Sequence, residues 1–151
     1  MRERKIDLKN IERAIAKERT AYWYMIDGWC YISDSHFVLR CMQDVFDTLK
    51  KKLDARKRTI EWKELPMLQK FFKIDGILCE NRMAGTLPDG REVLVLFQPD
   101  YKVVIDKMFL VGTDESPLYY TSGRTKPVYQ IISESMVNMI LPINQPEVQY
   151  D

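Results

Sequence analysis

At 151 residues, with 46% hydrophobic and 30% charged side chains, the chain holds enough apolar material for one folded domain and too much for a disordered one. A formal net charge of +1 excludes binding to nucleic acid through overall basicity, so any such contact has to come from local clustering. The odd set Cys30, Cys41 and Cys79 excludes a fully paired disulfide framework, and no apolar run approaches the ~20 residues that span a bilayer.

These features, with an N-terminus (Met-Arg-Glu-Arg-Lys) that lacks the apolar core of a signal peptide, lead us to expect a soluble cytoplasmic protein in a reducing compartment. A helix is predicted over 7–19, where Leu8, Ile11, Ala14 and Ile15 recur at helical spacing and Asp7 can cap the free N–H groups. Lys9, Arg13 and Lys17 form a stripe on its opposite face. Asp27-Gly28 between two β-rich runs predicts a tight hairpin joining strands at 22–26 and 29–33. A turn at Ser33-Asp34-Ser35 leads to a short strand from Phe37.

Residues 42–72 read as a helical, basic insertion. Met42, Val45, Phe46, Leu49 and Leu53 share one face of its first helix, which runs into Lys50, Lys51, Lys52, Arg56, Lys57 and Arg58. Cations there favour the helix dipole, and they also offer phosphate or partner contacts. Pro66 interrupts or starts a second helix, whose aromatic residues suit a core.

Strands are predicted at 77–79 and 93–97, with a turn at Leu87-Pro-Asp-Gly-Arg. The stretch 99–110 is ambiguous. Tyr101, Val104, Ile105 and Met108 fit a helix face and Pro99 suits a first turn, while the run Val103-Val104-Ile105 favours a strand. We read it as a second helix, which would carry Lys102 and Lys107. Strands near 118–121, 127–132 and 136–143 follow, and the polar tail after Pro142 is expected to fray. The expected class is α+β, an antiparallel sheet backed by two helices.

No residue set compels an enzymatic reading. Cys30, His36, Cys41 and Cys79 lack the paired spacing of a structural zinc site, so no metal or cofactor is expected. His36 is the only histidine and stands beside no nucleophile motif. Asp100 and Asp106 resemble part of a metal-dependent nuclease pattern, the least favoured reading. The six glycines are dispersed singly, which excludes a glycine-rich phosphate loop.

The element order, with Arg4-Lys-Ile-Asp before the first helix, Pro99 to Leu110 as the second, and closing runs Lys126-Pro-Val-Tyr-Gln-Ile and Met139-Ile-Leu-Pro-Ile, resembles one domain of a bacterial DNA sliding clamp and its phage relatives. The Tyr-Met-Ile-Asp-Gly-Trp-Cys-Tyr-Ile-Ser-Asp hairpin looks like small phage proteins of this kind. The resemblance implies a single clamp-like domain over 1–151 interrupted by 42–72. It implies a phage or mobile-element protein without catalysis that contacts DNA independently of sequence, or replication proteins. Clamps build rings from several such domains, so a homo-oligomer is implied too. The alternative is an inhibitor of a host defence system that binds a nucleic-acid-processing protein. The candidate contact residues are Arg13, Lys17, Lys50, Lys51, Lys52, Arg56, Lys57, Arg58, Lys102 and Lys107.

Overall fold

Asp27 and Gly28 take φ angles of 53° and 81°, the left-handed pair that a two-residue hairpin needs. They join β2 (Thr20–Ile26) to β3 (Trp29–Ser33), and a second turn leads to β4 (Phe37–Cys41). The structure, a computed structural model, describes residues 5–57, 59–144 and 146–151. Before this meander stand β1 (Ile6–Asp7) and α1 (Lys9–Glu18). Leu8 occupies the capping position of α1, yet Asp7 still serves the helix start, its Oδ1 accepting from the Lys9 N–H at 2.9 Å.

After β4 come α2 (Gln43–Asp54), β5 (Glu61–Glu64), the one-turn α3 (Leu68–Phe71) and β6 (Ile77–Leu78). Next are β7 (Asn81–Thr86), β8 (Glu92–Phe97), β9 (Lys102–Asp106) and a 3-10 turn at Lys107–Phe109. The chain closes with β10 (Gly112–Thr113), β11 (Leu118–Thr121), β12 (Val128–Ser133), β13 (Met136–Ile140) and β14 (Gln149–Tyr150).

The class is α+β. An eight-stranded sheet runs β5-β2-β3-β4-β13-β12-β11-β6, a four-stranded sheet runs β14-β7-β8-β9, and β1 pairs with β10. The large sheet is mixed rather than purely antiparallel, because β5 pairs parallel to β2 through Thr20–Glu61 to Trp23–Glu64. One face of this sheet forms the main core. Ile32, Leu39 and Ile140 meet Ile11 and Ile15 of α1, Phe46, Leu49 and Leu53 of α2, and Leu96, Val103 and Ile105 of the small sheet. Helices and small sheet thus form one layer over the inner face of the large sheet.

Four expectations are corrected. Residues 99–110 are a strand and a 3-10 turn, not a second helix. Val103 and Ile105 enter the main core while Val104 packs the opposite way with Leu87, Val93 and Val95, so both faces are buried and the apolar run is continuous. The second helix against the sheet is α2. The 42–72 region is not wholly helical, because 61–64 is strand β5. The described residues of the tail after Pro142 are held at two places: Ile143 bridges Val104 and its N–H donates to the Val104 carbonyl at 2.8 Å, while Gln149 and Tyr150 pair with Thr86 and Gly85.

β5 and β6 lie at opposite edges of the large sheet, so residues 65–76 cross its outer face as a strap. Leu68 and Phe72 of the strap are buried against Tyr31, Val38, Tyr129, Val137 and Met139. The Phe72 ring meets Tyr31 and Tyr129 edge-on, each at 5.7 Å, and the Tyr129 hydroxyl accepts from the Lys73 N–H at 3.2 Å.

Candidate polyanion-binding cleft

Arg13 and Lys17 lie on the exposed side of α1, since Ile11, Ala14 and Ile15 take its buried face. One flank of the helix meets α2, where Glu12 Oε1 accepts from Arg56 Nη2 at 2.9 Å and Nε at 3.1 Å. The other flank meets the 3-10 turn, where Asn10 Nδ2 donates to the Lys107 carbonyl at 3.3 Å. That turn is held by Asp106, whose Oδ1 accepts from the Met108 N–H at 2.9 Å.

Between α1, the turn and the start of β8 lies a cleft of about 340 Å³, lined by Asn10, Arg13, Lys17, Arg91, Glu92, Asp106, Lys107 and Met108. Four of these side chains are cations and two are anions. The buried Asp106 has Arg91 Nη1 at 3.6 Å, while Arg91 Nε reaches the exposed Asp89 at 2.8 Å. The Arg91 backbone N–H, with its guanidinium beside it, holds the Asp89 carboxyl below its usual range. Such a cleft, cationic and open to solvent, can hold a phosphate or other anion by charge.

Three of the expected contact residues, Arg13, Lys17 and Lys107, therefore come together. The others do not join them. Lys102 sits at the far end of β9, where its Nζ donates to the Tyr150 hydroxyl at 3.1 Å, in a separate hollow with Arg124. Lys50 is tied to Asp54 at 2.6 Å and stands over the Trp62 ring at 5.0 Å. The bond from Lys50 keeps the Asp54 carboxyl below its usual range. Lys52 lines another hollow beside Asp44, Arg56 is paired with Glu12, and Lys51 and Lys57 are exposed. Arg58 lies outside the described residues.

Arg91 was missed because Pro-Asp-Gly-Arg reads as a turn; that its last residue faces α1 depends on how the small sheet docks. The remaining candidates for chemistry are dispersed or engaged. Asp100 precedes β9 and Asp106 ends it, and no group of three or more His, Cys, Asp or Glu side chains that could hold a metal ion occurs among the described residues. Cys30 and Cys41 are opposite each other on β3 and β4, buried and unpaired by a disulfide. His36 is half exposed, stacked on Phe109 with ring centroids 5.0 Å apart, and its Nδ1 stands 3.5 Å from the buried Asp34. Burial pushes the Asp34 carboxyl up from its ordinary value. No helix among the described residues is long and apolar enough to cross a membrane. No protein-family model, curated protein or solved structure matches this chain.

Proposed function

We propose that the protein is a non-enzymatic binding module whose α1 edge contacts the phosphate backbone of DNA without reading bases. The observation that carries this reading is the convergence of Arg13, Lys17, Arg91 and Lys107 on one cleft from three separate chain segments. Lys9 and Arg13 extend the positive surface along the outside of α1. Cations on a solvent-facing helix bind phosphates through charge and counterion release, and they carry no base specificity. A net charge of +1 conceals such a patch, in which four cations outnumber the two anions, Glu92 and Asp106. The likeness to a sliding-clamp domain enters this reading only through the cations that α1 carries.

The test is fluorescence anisotropy with a mixed-sequence 30-base-pair duplex across a salt series. Four cations on phosphates give a slope of roughly −3 to −4 in log affinity against log salt. Arg13→Glu with Lys17→Glu is expected to weaken low-salt binding by about tenfold or more, while Lys102→Glu leaves it unchanged. No binding at low salt, or equal binding by the double variant, overturns the proposal. Solution mass from light scattering decides whether the bound form is an oligomer.

A further inference from the structure

On the outer face of the large sheet one row of facing residues runs across six strands: Tyr24, Tyr31, Arg40, Val137, Ile131 and Leu118. Arg40 is the only charge in that row. Its guanidinium lies 4.3 Å from the centre of the Trp29 ring and 4.8 Å from that of Phe72 on the strap. The two rings hold the cation in place, but neither neutralises it. Among the described residues Arg40 has no ion-pair partner, and its Nε–H, buried from solvent, has no acceptor. An N–H buried without a partner is costly, the more so on a charged group, and the fold tolerates that cost here.

On the other side of the strap lies a cavity of about 550 Å³ whose lining is almost wholly apolar, with Tyr22, Val38, Leu68, Phe71 and Met139 among its walls. Val38, in the cavity wall, and Arg40 stand two residues apart on the same face of β4, so cavity and guanidinium open on one side of the sheet. Phe71 and Leu141, at 54% and 47% exposure, stand at its mouth.

We infer that this face is a docking surface for an acidic-apolar segment of another protein, with a carboxylate paired to Arg40 and a large apolar side chain in the adjoining cavity. Charge complementarity selects the carboxylate: with Nε buried, the terminal Nη groups of this guanidinium are the donors left for an incoming carboxylate to meet. Tryptophan, tyrosine and arginine around a pocket are also the residues that dominate protein interfaces. A nucleic acid fits less well. The row offers one cation where a phosphate backbone needs several, and one face each of Trp29 and Phe72 is already taken by Arg40. The surface lies across the sheet from the cation cleft and is independent of DNA binding.

The test is selection of displayed random 12-residue peptides on the full chain. Enriched peptides are expected to pair Asp or Glu with a neighbouring Leu, Ile, Phe or Trp. Synthesised, they should bind Arg40→Gln at least about tenfold more weakly than wild type. On the wild-type protein, where folding is not in question, the Arg40 Nε–H proton resonance should shift on peptide addition, as its guanidinium takes up a carboxylate. A glutamine-for-glutamate version of the peptide should leave it in place. Enrichment of neutral or basic peptides, an unmoved Nε–H signal, or protection of this face by oligothymidylate instead of peptide each overturns the inference.

Discussion

The side-chain amide of Gln130 pairs with the backbone of Val111 as one strand pairs with another. The Val111 N–H donates to Oε1 at 2.9 Å, and Nε2 donates to the Val111 carbonyl at 2.8 Å. Asn138, the cross-strand neighbour of Gln130, completes the arrangement: its Nδ2 donates to the Phe109 carbonyl at 2.7 Å and lies 3.3 Å from Gln130 Oε1. Two buried amides on the inner face of the large sheet therefore fasten the segment that follows the 3-10 turn, and with it one wall of the cation cleft.

Gln130→Leu removes both bonds and leaves a buried N–H and carbonyl of Val111 unsatisfied. The expected loss is about 2–4 kcal/mol, measured as a lower urea midpoint at unchanged slope. A loss below about 0.5 kcal/mol would show that Val111 finds water or another partner and that the pairing is incidental.

Gly76 ends the strap at φ 103°, and a Cβ built there would stand 2.1 Å from the Thr121 carbonyl carbon. Both strain and collision oppose any side chain. Gly76→Ala should destabilise by more than about 2 kcal/mol and increase protease cutting within 65–76. Gly28, at φ 81° with open space around it, gives the contrast: Gly28→Ala meets only backbone strain and should cost about 1 kcal/mol. Equal melting temperatures for the two variants would refute the close approach of strap and β11.

Burial pushes the Cys41 thiol up to about 12, and it raises Cys30 and Cys79 as well. A thiol whose folded pKa exceeds its unfolded value favours the fold while it stays protonated. The contribution is full below about 9 and is lost as pH rises toward about 12. The stability difference between wild type and Cys41→Ala should therefore narrow across that window in urea titrations. At pH 8 the three native thiols should react with iodoacetamide at least about a hundredfold more slowly than in the unfolded chain. Rapid native alkylation of Cys41 would contradict the packing around β3 and β4.

What could be read from the chain was local. The Asp27-Gly28 turn, the apolar face of α1 and the strand runs read at 118–121 and 127–132, found at Leu118–Thr121 and Val128–Ser133, each follow from residues close in sequence. The stretch at 101–110 misled because a strand covered on both faces loses its alternation, leaving apolar spacings that also fit a helix. β7 escaped notice for the opposite reason: Asn81, Arg82 and Met83 are exposed, and the strand exists because β8 lies beside it. In the same way, Arg13 and Lys17 were visible as a helical stripe. Their meeting with Arg91 and Lys107 is set by the docking of the small sheet, which no nearby residue encodes. Arg40 gave no signal in sequence, because its isolation is a property of its neighbours on β3, β13 and the strap.

Both sheets are crossed on their outer side by a length of chain that ends in an edge strand. Residues 65–76 link β5 to β6, and the tail runs from its bridge to Val104 of β9 to β14 beside β7. The edges so occupied are short: four residues in β5, carrying Glu61, Lys63 and Glu64, and two each in β6 and β14. An exposed, flat edge is where one polypeptide recruits another into continuous β-structure, and brevity and charge work against it. Copies of this protein at high concentration therefore have little to zip together along these three edges. Self-association, where it occurs, has to use faces rather than strand addition, and the chain should resist fibril growth as long as both crossing segments stay seated.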